Sequence, residues 1–254
     1  MDHQFCPGSK LLRQPAPEMF SCPSCGEEVE IWTDEFKADC PKCSRTILRD
    51  ATMSCLDWCK YGQDCVGDTI YANYMRNKAI GVKQKLLEVL QEYFGEDRKR
   101  ISHAERVLDF AEELLEEGYG EWHIVVPASI LHDVGIKSAE EKYGSSAADL
   151  QEKEGPPVAR DILMKLGFRI EDTDQICEII AHHHHPGVLD TQNFKTVYDS
   201  DCVANMQESA GKRTEEQLKT TIDNVLLTPA GKKLAARRLV ERSADIPKSR
   251  RTVQ

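Results

Sequence analysis

Histidine and aspartate side chains follow apolar stretches at several separated places in this chain. His132 and Asp133 come directly after the apolar run 124–131, with no turn residue between them. His103 lies on the apolar face of another amphipathic segment, since apolar residues recur after it at helical spacing. Two further apolar segments carry the histidine run 182–185 and the pair Asp199 and Asp201.

Each of these groups alone has an ordinary structural explanation. A single inward-facing histidine is commonly hydrogen-bonded in a core, and two aspartates near a helix start commonly cap it. Four apolar helices that all present histidine or aspartate inward would be costly without a shared partner, because buried charge needs compensation. One divalent metal, bound by neutral imidazoles and carboxylates, compensates all of them. The pattern therefore predicts a buried metal centre.

The ten cysteines are unevenly placed, and eight of them precede residue 66. Cys22-x2-Cys25 and Cys40-x2-Cys43 are separated by fourteen residues. Two CxxC turns at such a distance suit a tetrahedral zinc ion, and in a reducing compartment clustered cysteines favour metal over disulfides. The spacing predicts a structural zinc ribbon, with a redox pair or a rubredoxin-like iron site as the alternative. The intervening segment 28–36, with apolar residues at Val29, Ile31 and Trp32, is predicted to form a short hairpin between the two turns.

The other cysteines are harder to interpret. Cys6, Cys55, Cys59 and Cys65 could form a second site, holding a metal or an iron–sulfur cluster. The alternative is that these thiols pack between the Cys-rich segment and the rest of the chain, and their spacing leaves both open. Cys177 and Cys202 have apolar neighbours and are predicted to be small core residues.

The elements that must position these side chains differ along the chain. About seventy residues rich in Cys, Pro and Gly come first, and continuous amphipathic patterns follow. The sequence is therefore predicted to be mainly α, with a small Cys-rich module over 1–70 and a helical domain over 71–254. Helices are expected at 83–94, 101–118, 121–133, 155–167, 172–184, 194–208, 214–227 and 229–242.

Bulk properties narrow the class of protein. A net charge of −10 argues against a protein whose main task is coating nucleic acid. The longest apolar run, 124–131, is far shorter than the ~20 residues of a membrane span. The first residues have no apolar core of the kind a signal peptide carries. A cytoplasmic protein with no membrane partner is the resulting expectation.

Four motifs in order, "HAERVLDFA", "ASILHDVGI", "IIAHH" and "VYDSDCVANM", resemble the HD superfamily of metal-dependent phosphohydrolases. The resemblance runs through about residues 98–210. It implies an all-helical HD-domain bundle with a metal held by His103, His132, Asp133 and Asp201. Asp199 would stand behind Asp201, although the two could exchange roles.

Relatives with two metals use additional ligands between the HD pair and the final aspartate. By that resemblance His182 or His183 takes the later place, and Glu154 stands where such relatives often have histidine. Catalytic roles are expected for Asp133, His182, His183 and Lys137, and histidines up to 185 could move protons or contact phosphate. Lys137 could bind a substrate phosphate, or simply be a solvated cation near a helix end.

The resemblance implies hydrolysis of a phosphate ester through a metal-activated water, with Mn, Fe, Mg, Ni or Zn as the divalent metal. The acidic chain favours a small phosphorylated substrate, such as a nucleotide or related metabolite, over long nucleic acid. A di-iron oxygenase on the same scaffold is one alternative, and a non-catalytic protein that senses nucleotides or binds a partner is another. The sequence leaves a homo-oligomer open.

Overall fold

The computed structural model describes residues 14–33, 35, 37–48, 55–57, 59–210 and 213–241. Cys6, a candidate ligand of a second cysteine site, lies outside these residues. Short strands occupy the Cys-rich segment and helices the remainder, which confirms the predicted mainly-α class.

The Cys-rich segment forms two antiparallel hairpins, and each places one CxxC turn between its strands. The strands are β1 (Pro17–Ser21), β2 (Glu28–Trp32), β3 (Lys37–Asp39) and β4 (Thr46–Leu48). β1 pairs with β2, and β3 pairs with β4. The expected short hairpin over 28–36, between the two CxxC turns, is therefore wrong. β2 takes its partner across the first CxxC turn, because that turn brings the preceding strand alongside it.

A small core forms between these hairpins. Val29 and Ile31 alternate inward on β2 and pack with Ile47 and the thiols of Cys22 and Cys40. So few apolar residues bury little surface, and a segment of this size ordinarily needs a metal or disulfides to fold stably.

A short 3₁₀ turn at Cys55–Asp57 follows the hairpins. Ten α-helices come next in the described part of the chain, and a π-helical turn at Ala236–Glu241 follows the last of them. They are α1 (Gly62–Val66), α2 (Asp68–Phe94), α3 (Arg98–Glu116), α4 (Trp122–Leu131), α5 (Gly135–Tyr143), α6 (Ala148–Lys165), α7 (Ile170–His182), α8 (Gln192–Ser209), α9 (Glu215–Val225) and α10 (Pro229–Ala235).

Helix α4 is the centre of the bundle. Its residues 124–131 are all buried, as expected of a helix that is apolar on every side. It packs against α2, α3, α7 and α8, and these contacts build the main core. A second core joins the opposite face of α3 to α8, α9 and α10. His132 and Asp133 follow directly from the most buried helix, so their positions are tightly fixed.

Helix α5 was not expected from the sequence. It starts at Gly135, and its buried residues are few, so it lacks a long apolar stripe. Residues 132–134 form the turn from α4 into α5, rather than the last turn of one helix. Within the described residues, no helix combines the length and the apolar character that crossing a membrane requires.

Candidate metal centre

The four cysteines of the two CxxC turns converge on one point. The Sγ atoms of Cys22 and Cys43 lie 3.6 Å apart, and those of Cys25 and Cys40 lie 3.5 Å apart. All four sulfur atoms lie within 4.8 Å of one another. Four mutually close thiols in two paired turns could hold one tetrahedrally coordinated metal ion.

The two CxxC turns share one backbone geometry. Gly26 donates its N–H to the Cys22 carbonyl, and Ser44 donates to the Cys40 carbonyl, both at 2.9 Å. Gly26 and Ser44 adopt positive φ angles of 72° and 57°, which allow each turn to close tightly. The Ser24 backbone N–H donates to the Cys22 sulfur and lowers the pKa of that thiol to about 6. A thiolate at neutral pH is the form that binds metal.

Replacing Cys25 by Ser is expected to remove about one equivalent of tightly bound zinc per chain, because three thiolates hold the ion far less well than four. Metal content of the purified protein, measured by mass spectrometry, checks this. Cys59→Ser is the matched control: among the described residues, Cys55, Cys59 and Cys65 form no compact ligand group. Loss of metal from the control would instead indicate a second cysteine site.

A second convergence of ligand-type side chains lies inside the helical bundle. The Nε2 atom of His103, on α3, is 3.0 Å from Oδ1 of Asp201, on α8. In the α4–α5 turn, the His132 Nε2 atom lies 3.4 Å from Oδ2 of Asp133 and 3.8 Å from Oδ1 of Asp201. His183, just beyond α7, places Nε2 at 3.6 Å from the other Asp133 oxygen, Oδ1. Five side chains from four parts of the fold therefore form one cluster, in which Asp133 faces His132 through one oxygen and His183 through the other.

Two of these imidazoles are oriented by their own helices. His132 donates from Nδ1 to the Ser129 carbonyl at 2.9 Å, and His183 donates from Nδ1 to the Ile180 carbonyl at 2.8 Å. Both Nε2 atoms are buried and have no hydrogen-bond partner, and each carries a lone pair when its ring is neutral. A buried nitrogen without a partner is costly, and a metal ion supplies the missing one.

The charges in the cluster also suit a cation. Burial lowers the pKa of His132, but the carboxylates of Asp133 and Asp201 outweigh burial and raise that pKa to about 9. Burial raises the pKa of Asp133, but His132 and His183 outweigh it and hold that pKa well below its ordinary value. With neutral imidazoles, the two aspartates carry a charge of about −2, which a divalent ion balances. The donor set therefore fits a divalent metal.

The HD domain family model matches residues 100–220, which include all of these side chains. Residues 100–220 form an HD domain. The four sequence motifs that resemble this family lie within residues 100–220. Their residues His103, His132, Asp133 and Asp201 belong to the His–Asp cluster. An HD domain implies a divalent metal, and this cluster is where the chain provides ligands for one.

The chain is also similar to a crystal structure of a predicted HD superfamily hydrolase from an uncultured Thermotogales bacterium. The two are 23% identical, with 61% of this chain and 83% of the other covered, and the TM-score is 0.47. No curated protein sequence matches the chain.

His182 was the first candidate ligand for a second metal. In the structure the two residues that follow it, His183 and His184, lie beside Asp133 instead. His182 is the last residue of α7. His183 and His184 instead put nitrogens within 4.8 Å of each other and of an Asp133 oxygen. Burial and the neighbouring His183 lower the pKa of His184 to about 4, so its imidazole is neutral. One step along a helix end turns a side chain by about 100°, which accounts for the shift.

Two other candidates, Glu154 and Lys137, lie away from the cluster in the HD domain. Glu154 accepts a hydrogen bond from Tyr143 at 2.9 Å and pairs with Lys142. Lys137 donates from Nζ to the Tyr93 carbonyl at 2.8 Å and lies over the Tyr93 ring. Both side chains therefore connect neighbouring helices, and neither contacts the His–Asp cluster.

Asp199 faces away from Asp201, because residues two apart on a helix diverge by about 200°. It accepts hydrogen bonds from the Leu227 N–H at 2.8 Å and the Thr228 N–H at 3.0 Å, and one from the Thr228 hydroxyl at 2.6 Å. Asp199 therefore secures the α9–α10 connection, and Asp201 is the aspartate at the cluster.

Two glutamates near the cluster were missed by the sequence analysis. Glu152, on α6, is buried and accepts from the His184 N–H at 2.8 Å, while its other oxygen lies 2.6 Å from Nδ1 of His185. Glu208, on α8, lies 2.8 Å from Nδ1 of His103. Glutamates on amphipathic helices look like solvated surface in sequence, so only the packing of the helices reveals these contacts.

A cavity of about 270 Å³ opens onto His103 and Asp133. Its wall combines acidic, basic and polar side chains from the start of α3, the segment from the α4–α5 turn to the α5–α6 loop, and α8. The lining residues are Asp97, Lys99, Arg100, His103, Asp133, Ile136, Ser146, Asn205 and Glu208. Arg100 is paired with Asp97 and with Glu140, at 2.9 Å and 2.6 Å.

Proposed function

We propose that this HD domain is a metal-dependent phosphohydrolase that acts on a small phosphate ester, such as a nucleotide or a related metabolite. The observation that carries the proposal is the buried His–Asp cluster, which has unpartnered Nε2 atoms on His132 and His183 and reaches a cavity through His103 and Asp133.

The ligands to the metal would be His103, His132, Asp133 and Asp201, with His183 beside them. A bound divalent cation supplies Lewis-acid polarisation of the phosphate and a lower pKa for an attacking water. His132 and His183 donate from Nδ1 to backbone carbonyls, so the Nε2 lone pairs of the neutral rings would face the ion without rearrangement. Preorganised ligands of this kind lower the cost of binding and of reaction.

The cavity favours a small substrate. Its volume of about 270 Å³ is near the lower limit for small-molecule pockets. Lys99 contributes positive charge at a wall that also carries the carboxylates of Asp97, Asp133 and Glu208. Ser146 and Asn205 provide hydrogen-bonding groups there. A phosphate with a compact substituent suits such a lining, whereas the wall offers no extended basic surface for a polymer backbone.

Phosphate release from a panel of nucleotides, sugar phosphates and phosphodiesters tests the proposal. The protein is purified without chelator and assayed with Mn²⁺, Fe²⁺, Mg²⁺, Ni²⁺ or Zn²⁺. Turnover of at least one small phosphate ester that disappears with EDTA and returns with metal is the expected result. Metal binding without turnover of any member would end the phosphohydrolase proposal.

A di-iron oxygenase remains the second candidate, and one observation favours it. Asp133 belongs to two donor groups, with Oδ2 towards His132 and Oδ1 towards His183 and its neighbour. A carboxylate placed in this way could bridge two ions. Two iron ions per helical domain with a visible absorption band, together with oxygen consumption, would support this function over hydrolysis.

A further inference from the structure

Three imidazoles face the cluster, and one of them is oriented differently from the others. His132 and His183 each donate to a backbone carbonyl three residues earlier, in the last turn of the preceding helix. His103 instead has its Nδ1 atom 2.8 Å from Oε1 of Glu208, a side chain 105 positions away on α8. The orientation of His103 therefore depends on a side-chain partner, which a substitution can remove, whereas a backbone carbonyl would remain.

Helix α8 contacts both nitrogens of this ring. Asp201 and Glu208 are seven residues apart, which is about two turns, so they share one face of α8. His103 lies between them, with Nε2 at 3.0 Å from Asp201 and Nδ1 at 2.8 Å from Glu208. The neutral ring has one N–H, and the partner of each nitrogen decides which one carries it.

Glu208 is itself held in place. Arg106, one turn beyond His103 on α3, donates from a guanidinium nitrogen to the same Glu208 oxygen at 2.5 Å. Arg106 also donates to the Ser102 hydroxyl at 2.8 Å, which fixes the guanidinium against α3. The side chains of Arg106 and Glu208 are both about 31% exposed, so the pair lies at the rim of the cavity rather than in the core.

We propose that Glu208 is a positioning residue for the metal centre: it accepts the Nδ1–H of His103 and so directs the Nε2 lone pair at the ion. This inference rests on the metal centre of the proposed function. Without Glu208, His103 is free to carry its proton on Nε2 and donate it to Asp201, which withdraws both groups from the metal. Removal of such a partner typically weakens metal binding about 10–100-fold.

Mn²⁺ binding to metal-depleted protein, followed by electron paramagnetic resonance, tests the proposal. Mn²⁺ favours nitrogen and oxygen ligands, so it does not report on the four-cysteine site. Glu208→Ala is expected to raise the Mn²⁺ dissociation constant about 10–100-fold. Glu208→Gln keeps an acceptor oxygen for Nδ1–H, and should restore most of the affinity. Glu105→Ala, which removes an exposed glutamate from α3, is the matched control and should bind as the wild type does.

Melting of the metal-free protein separates positioning from stability. All three variants should melt within about 2 °C of the wild type, as surface substitutions usually do. Unchanged affinity in Glu208→Ala, equal weakening in both Glu208 variants, or a loss explained by a lower melting temperature would each overturn the proposal. Absence of Mn²⁺ binding by the wild type would overturn the metal centre too. Mn²⁺ binding without any phosphatase activity would end only the proposed function.

Discussion

Asp133→Asn is expected to abolish metal-dependent phosphate release, with a loss of at least about a thousandfold. Metal activation supplies several kcal/mol to such reactions, and each 1.36 kcal/mol is a factor of ten in rate. Asp133 faces His132 through one oxygen and His183 through the other, so the loss of its charge affects every ligand-type group around it. Mn²⁺ binding should weaken in parallel, since the ligand set then balances only one positive charge.

Asp109→Asn is the matched control for this experiment. Asp109 is exposed on α3, the helix that also carries His103, and it lies outside the cluster. Activity and Mn²⁺ affinity should remain at wild-type levels. An Asp133→Asn protein that keeps activity within about tenfold of the wild type would contradict a metal-centred reaction at this site.

Gly135→Ala is expected to destabilise the helical domain by about 3 kcal/mol, or to prevent folding. A Cβ atom at this position would overlap the Gln151 carbonyl oxygen and would lie 2.6 Å from the Gly155 nitrogen. Both are backbone atoms of α6, so no side-chain rotation relieves the clash and α5 must separate from α6. Thermal unfolding monitored by circular dichroism should show a fall of about 6–12 °C in melting temperature.

Gly62→Ala adds the same methyl group to another helical glycine and serves as the comparison. The nearest atom there is Cδ2 of Leu56 at 2.9 Å, which is the far end of a flexible side chain. Because that leucine can rotate aside and alanine has the higher helix propensity, little net change in stability is expected. Equal stability losses in the two variants would show that the close approach of α5 and α6 is not what makes Gly135 necessary.

The helical fold was largely predictable, because most helices bury a stripe of regularly spaced apolar residues. Helix α5 was not, since it depends on the close approach at Gly135 rather than on an apolar stripe. The alternating residues on β2 were visible in the sequence, but not the strand with which β2 pairs. The pairing of β2 with β1 is determined by the first CxxC turn, which brings the two strands side by side when it closes.

A candidate ligand could be predicted from the sequence where it lies on, or directly after, the apolar face of a helix. His103, His132 and Asp201 satisfy that condition, and the structure brings them together. Choosing between His182 and His183 required the exact end of α7, where boundaries inferred from sequence are least precise. Glu152 and Glu208 had no signal of their own, because their roles arise from neighbours 32 and 105 positions away.

The two ligand clusters have very different spans along the chain, and this difference has a consequence for how the protein is made. The cysteine cluster closes over 21 positions, whereas His103 and Asp201 are 98 apart. During synthesis at roughly 5–20 residues per second, the cysteine ligands emerge together and can close locally. The His–Asp ligands must wait until α8 has emerged and docked against α3. Metal acquisition in the helical domain would thus be a late event that reports completed tertiary structure, while the N-terminal hairpins could be loaded on a nascent chain.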